Sequence, residues 1–146
     1  MADKLTFAGT YFSTPAETTL VAATPAKAAG TTTFSTLSQG FTQTANNRVQ
    51  LDAGQTTRTY RVTANLAVSK AGGGATEGSF YIAKNGTVDA ASKMIRTLAN
   101  TSDVGSIIVT GIEELAAGDY IEVWLETDTG DNLTVVAGGI GCGVVG

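Results

Sequence analysis

Between Thr59 and Val68 the chain alternates without a break. Tyr60, Val62, Ala64, Leu66 and Val68 fall on one side, and Thr59, Arg61, Thr63, Asn65 and Ala67 on the other. A period of two marks a strand with one buried and one open face. Tyr120–Thr127 repeats the pattern, with Ile121, Val123 and Leu125 opposed to Tyr120, Glu122, Trp124 and Glu126. Ser106–Ile112 is a β-branched run and Phe80–Lys84 a short apolar one, and both are predicted as strands. Leu133–Ala137 and Ile140–Val145 are predicted to close the chain as two further strands.

Turn signals punctuate these runs. Asn85-Gly86 predicts a two-residue hairpin leading into Thr87-Val88. Ala45-Asn46-Asn47 predicts a turn between Phe41–Thr44 and Arg48–Leu51, and Lys70-Ala71-Gly72-Gly73-Gly74 a flexible loop. Asp89–Met94 allows a helical turn. Residues 1–40 are the least periodic part and hold both prolines, with short strands predicted at Leu5–Phe12 and Thr31–Leu37. The sum is an all-β chain: an antiparallel β-sandwich of about eight to ten strands, for which the jelly roll is one standard arrangement. The expected organisation is an N-terminal arm over residues 1–40 and a jelly-roll domain over residues 41–146.

Composition narrows the chemistry. The 146 residues include 24 Thr, 18 Gly, one Cys and no His. A chain of this length buries roughly 68–70% of its unfolded surface, enough for a core without cross-links. The usual zinc, haem and iron–sulfur ligand sets are missing, as are Ser-His-Asp and Cys-His triads. No cofactor and no catalytic residue is expected. Cys142 reads as a small buried hydrophobe. No signal-peptide pattern and no span-length apolar run is present, so no membrane partner is expected and folding in a cytoplasm is. The net charge of −4 argues against nucleic acid as a partner. That total hides an asymmetry: residues 1–96 carry nine bases and five acids, residues 97–146 eight acids and no base. Either the molecule has one basic and one acidic surface, or strands from the two segments interleave and the charges mix.

Four short patterns resemble chemical signatures. Gly141-Cys142-Gly143-Val144-Val145-Gly146 matches a dinucleotide fingerprint in letters only, because no helix follows to hold a pyrophosphate. Asp128–Asn132 offers oxygens but lacks the spacing of a calcium loop, so no metal is expected. Glu122 and Glu126 flank Trp124 on one strand face, a pattern shared by glycosidase sites and by ordinary solvated faces. Asn85, Asn100 and Asn132 begin Asn-x-Ser/Thr triplets that read as turns. The Gly-rich stretch Gly138–Gly146 is expected either to pair inside its own sheet or to lie close to a subunit interface.

An ordered set of strings carries a resemblance. Tyr60-Arg61-Val62-Thr63-Ala64-Asn65-Leu66 precedes Phe80-Tyr81-Ile82-Ala83-Lys84-Asn85-Gly86-Thr87-Val88. Asp103-Val104-Gly105-Ser106-Ile107 and Leu115-Ala116-Ala117-Gly118-Asp119-Tyr120-Ile121-Glu122-Val123-Trp124 follow. Over residues 57–135 the chain resembles bacteriophage structural proteins with a jelly roll of the tumour-necrosis-factor and complement globular-head type. The resemblance implies a homotrimer, no catalytic residues and a place in a virion. It implies a capsid decoration (cement) protein on the head surface, assembled in the host cytoplasm, whose partner is the major capsid protein. The alternative is the receptor-binding tip of a head or tail fibre, whose partner is a host receptor. The absence of heptads or shaft repeats ahead of residue 57 favours decoration. Leu5, Phe7, Tyr11 and Phe12 are the candidate capsid-anchoring residues, and an ordinary first strand is the competing explanation for them. A third reading is a carbohydrate-active enzyme using Glu122 and Glu126.

Overall fold

A computed structural model describes residues 5–145. Residues 1–4 of the expected N-terminal arm, and Gly146 of the glycine-rich stretch, lie outside that range. Thirteen strands follow in order: β1 (Phe7–Pro15), β2 (Glu17–Thr18), β3 (Ala26–Lys27), β4 (Gly30–Phe34), β5 (Phe41–Thr42), β6 (Val49–Leu51), β7 (Arg58–Lys70), β8 (Thr76–Lys84), β9 (Thr87–Val88), β10 (Met94–Leu98), β11 (Val104–Leu115), β12 (Tyr120–Thr127) and β13 (Leu133–Val144). One 3₁₀ turn, Ala90–Ser92, falls in the stretch read as a helical turn. No helix among the described residues is long and apolar enough to cross a membrane.

The strands form two antiparallel sheets packed as a sandwich. One is six-stranded, in the order β11-β7-β13-β1-β4 with β2 added beside β13. The other is seven-stranded, in the order β10-β8-β12-β6-β5 with β3 beside β12 and β9 beside β8. The core lies where the alternating faces meet. Tyr60, Val62, Ala64, Leu66 and Val68 of β7 are buried with Phe80 and Ile82 of β8 and Ile121, Val123 and Leu125 of β12. Tyr60 meets Phe41 edge to face, with ring centroids 5.3 Å apart, and its hydroxyl is satisfied by Thr6 Oγ1 at 2.8 Å. A buried phenol needs such a partner, and Thr6 is itself buried beside it.

The segment expected to be least regular is built into this frame. β1 lies between β13 and β4, with Phe7–Tyr11 registered against Gly143–Gly139 and Thr10–Pro15 against Phe34–Gly30. Ala8, Thr10 and Phe12 supply its inward face. Over its described part, the anticipated arm is held by a partner from the opposite end of the chain. The two strands expected at the C-terminal end are one strand, β13, with a bulge between Val135 and Ala137. Just past the bulge, Gly138 has φ +108 and pairs with Leu66, and a Cβ there would strike the Asn65 carbonyl, so this position admits only glycine.

Asn85 and Gly86 have φ of 51° and 79° and close the predicted hairpin from β8 to β9. The Asn100 side chain likewise holds a local turn, accepting from Ser102 N, whereas Asn132 departs from the turn reading and accepts from Leu20 N, 112 positions away.

The charge asymmetry is resolved by topology. Acidic β12 is threaded between β8, β6 and β3, all from the basic segment. Each described salt bridge joins a base of residues 1–96 to an acid of residues 97–146: Lys27 and Arg48 to Glu122, Lys70 to Asp131, and Lys84 to Asp119.

Candidate functional site

The outer face of the seven-stranded sheet was the place for carboxylate chemistry, and its groups are committed to one another. Glu122, expected on an open polar face, is 1% exposed. Its Oε2 takes Lys27 Nζ at 2.7 Å, Arg48 Nε at 3.0 Å and Arg48 Nη2 at 2.9 Å, while Oε1 accepts from Trp124 Nε1 at 3.2 Å. Burial works to raise the Glu122 carboxyl; the hydrogen bonds from Lys27, Arg48 and Trp124 outweigh it and hold the group below the usual carboxylate range. The Arg48 guanidinium also stacks on Tyr120, 3.8 Å from the ring centroid. Glu126 accepts instead from the Tyr81 hydroxyl at 3.1 Å. Four residues along a strand span about 13 Å, more than the ~5–9.5 Å that separates glycosidase carboxyl groups. Glu122 and Glu126 are therefore two structural acids, not one site.

The Asp128–Asn132 loop is similarly spent. Asp128 Oδ1 accepts from Glu77 N at 2.9 Å and Thr76 Oγ1 at 3.0 Å, and Asp131 Oδ2 pairs with Lys70 Nζ at 3.1 Å. Asn132 holds Leu20 N and Glu17, at 2.9 and 2.8 Å. Cys142 is a buried free thiol, pushed by burial up to about 12, which makes it a core hydrophobe rather than a nucleophile.

The six-stranded sheet presents the opposite surface. Its pairing registers set three rows across the outer face. The first runs Phe7, Gly143, Arg61, Ile112; the second Gly9, Gly141, Thr63, Thr110; the third Tyr11, Gly139, Asn65, Ile108. Glycine fills the β13 position of every row, and large apolar side chains stand at the margins. Tyr11 is 53% exposed, Ile108 60% and Ile112 53%. The glycines leave a hollow of about 450 Å³ bordered by Arg61, Thr63 and Val145. A second hollow, of about 690 Å³, lies over Asn65, Ile108 and Ala137-Gly138, and reaches Met94, Ile95 and Arg96 of β10.

Three of the four candidate anchoring residues reach the surface. Leu5, Phe7 and Tyr11 are exposed, and the alternation of β1 puts Phe7 and Tyr11 on this same face. Phe12, of opposite parity, is buried in the core and offers nothing to a partner. Ile108, Asn65 and Gly139 are far apart in the sequence from Tyr11, and only the strand register brings them into one row with it.

No protein-family model matches the chain, and no curated protein matches it. Among solved structures it is similar to murine APRIL, with a TM-score of 0.61 and 13% identity over 97% of this chain and 100% of that one. It is also similar to the Eiger TNF of S. frugiperda, with a TM-score of 0.60 and 14% identity over 97% of this chain and 93% of that one. At such identity the likeness is one of architecture, and the sandwich is a tumour-necrosis-factor-like jelly roll.

Proposed function

We propose that the protein is a non-catalytic structural module that assembles as a homotrimer through the outer face of its six-stranded sheet and decorates a bacteriophage head. One observation carries the assembly. A Cβ added at Gly143 would meet nothing within 4 Å, and one at Gly141 only the Thr63 carbonyl at 3.9 Å. Neither residue has a positive φ. Glycine inside a strand costs about 0.5–1 kcal/mol relative to alanine, and the chain itself gives no reason for it at these two positions. A close-packed neighbour does, because bare backbone lets another surface approach.

The decoration role rests on the ordered strings of residues 57–135. Three copies of a modest contact with the major capsid protein, carried on one rigid body, hold far more tightly than one copy. Leu5, beside the start of β1, is the candidate for that contact.

Sedimentation velocity at micromolar concentration should show a trimer, and a clean monomer overturns the assembly. Particles lacking the protein should keep host adsorption and lose resistance to heat or osmotic shock. Loss of adsorption with unchanged particle stability would overturn decoration in favour of a fibre tip that binds a host receptor.

A further inference from the structure

The apolar groups of the six-stranded face fall into two sets of different shape. On β1 the Tyr11 ring stands out from the sheet, with Phe7 two rungs along. Across the glycine strand, in the same row as Tyr11, lies the 690 Å³ hollow, walled by Met94, Ile95, Ile108 and Ala137 and bearing Asn65 and Ser106. Tyr11 is not among the residues that line the hollow, and its strand lies three strand spacings, about 14 Å, from Ile108 on the far wall, so the ring does not fill its own copy's hollow.

Their polar groups also match. The Tyr11 hydroxyl makes no hydrogen bond within the described chain, and neither does the Asn65 amide or the Ser106 hydroxyl. A tyrosine buried at an interface needs a partner for its hydroxyl, and the hollow's lining includes Asn65, Ser106 and Arg96, each able to serve. Exposed Met94, Ile95 and Ile108 form a cluster that a monomer has no reason to leave open.

We propose that the hollow over Asn65 and Ile108 is the seat for Tyr11 of a second copy of this chain. The contact is then head to tail: each copy gives a knob on one side and a hollow on the other, and such contacts close into rings. The bare strand β13 between them lets the two faces come close enough for the ring to enter. This rests on the homotrimer reading and refines it, and it assigns Tyr11 to a neighbouring subunit rather than to the capsid.

The test is cross-linking of Tyr11→Cys and Ile108→Cys variants by a short bis-maleimide. Cys142 is buried and its thiol is pushed to about 12, so it does not compete. Both mutated side chains are exposed, and far-UV circular dichroism with thermal melts checks each fold. The double variant should give covalent trimer; a mixture of the two single variants should stop at covalent dimer; neither single variant should link alone. Tyr11→Ala should raise the concentration at which the trimer half-dissociates by about tenfold or more. If the unmodified protein sediments as a monomer, the homotrimer reading fails and this inference with it. If it sediments as a trimer but Tyr11→Cys links to itself as readily as the double variant does, the inference alone is overturned. The same holds if the trimer's hollow takes up the dye ANS as fully as Tyr11→Ala does, an outcome that would open it to a small apolar ligand.

Discussion

The two outer faces of the sandwich treat their polar groups in opposite ways. On the seven-stranded sheet, Lys27, Arg48, Glu122, Trp124, Tyr81 and Glu126 satisfy one another inside the chain. On the six-stranded sheet, glycines, threonines, exposed apolar side chains and Arg61 stand with few internal partners among the described residues. The seven-stranded face looks chemically rich in sequence and has nothing left to offer. The six-stranded face looks plain in sequence and is the one whose side chains are left with few internal partners, which is why the proposed assembly is placed there.

The largest effect should come from filling the glycine row. Gly141→Gln adds a side chain into open space at an ordinary φ, so the isolated subunit should keep its stability within about 0.5 kcal/mol. The assembly should fall apart into monomers by sedimentation. A variant that remains fully trimeric would remove the distinction between the two faces.

On the other sheet the order reverses, with stability at stake and assembly untouched. Glu122→Leu leaves Lys27 and Arg48 half-buried without their carboxylate and should cost about 3 kcal/mol in urea unfolding. The lowered folded pKa fixes the sign of its pH dependence. The stability that Glu122 contributes is present above the unfolded value near 4.5 and is lost as pH falls through the lower folded value. The variant's acid limb should therefore be flatter than that of the unmodified chain.

Asn47 comes next. It is fully buried, donates to Ala28 O and Val123 O, and accepts from Val123 N. Asn47→Ala should cost about 2 kcal/mol. Asn47→Gly should cost less, because φ at this position is 52° and glycine bears no penalty there.

How much of this was legible follows the distance between partners. The alternation of β7 and β12 and the Asn85-Gly86 hairpin depend on neighbours in sequence, and the chain displays them directly. Glu122 could not be read as buried, because what covers it includes Arg48, 74 positions away. Asn47 was visible as a turn residue, and its tie to Val123 lies 76 positions off. A short strand at Leu5–Phe12 was legible, but its place inside the sheet was not, because the strand that orders it, β13, comes at the other end of the chain. Of the two expectations for the Gly138–Gly146 stretch, pairing inside its own sheet is observed over the described part, between β1 and β7; the interface is the one proposed for the homotrimer.

The smallest effect tests where burial works against a charge instead of with it. Glu113, at the end of β11, lies beside Asp89 above Gly111, and its Oε1 is buried without a hydrogen-bond partner. Desolvation and the neighbouring Asp89 raise its carboxyl above 4.5, with Lys84 opposing them. A raised folded pKa in an acid favours the protonated form. Its contribution to stability is thus greatest below the unfolded pKa and declines as pH rises through the folded one, opposite in sign to Glu122. Glu113→Gln keeps the shape, removes the charge and should flatten that decline, giving a small gain in melting temperature at pH 7 and none at pH 4. An equal gain at both pH values would mean that packing rather than ionisation sets the cost, and that the carboxyl groups on the two sheets do not differ as their surroundings require.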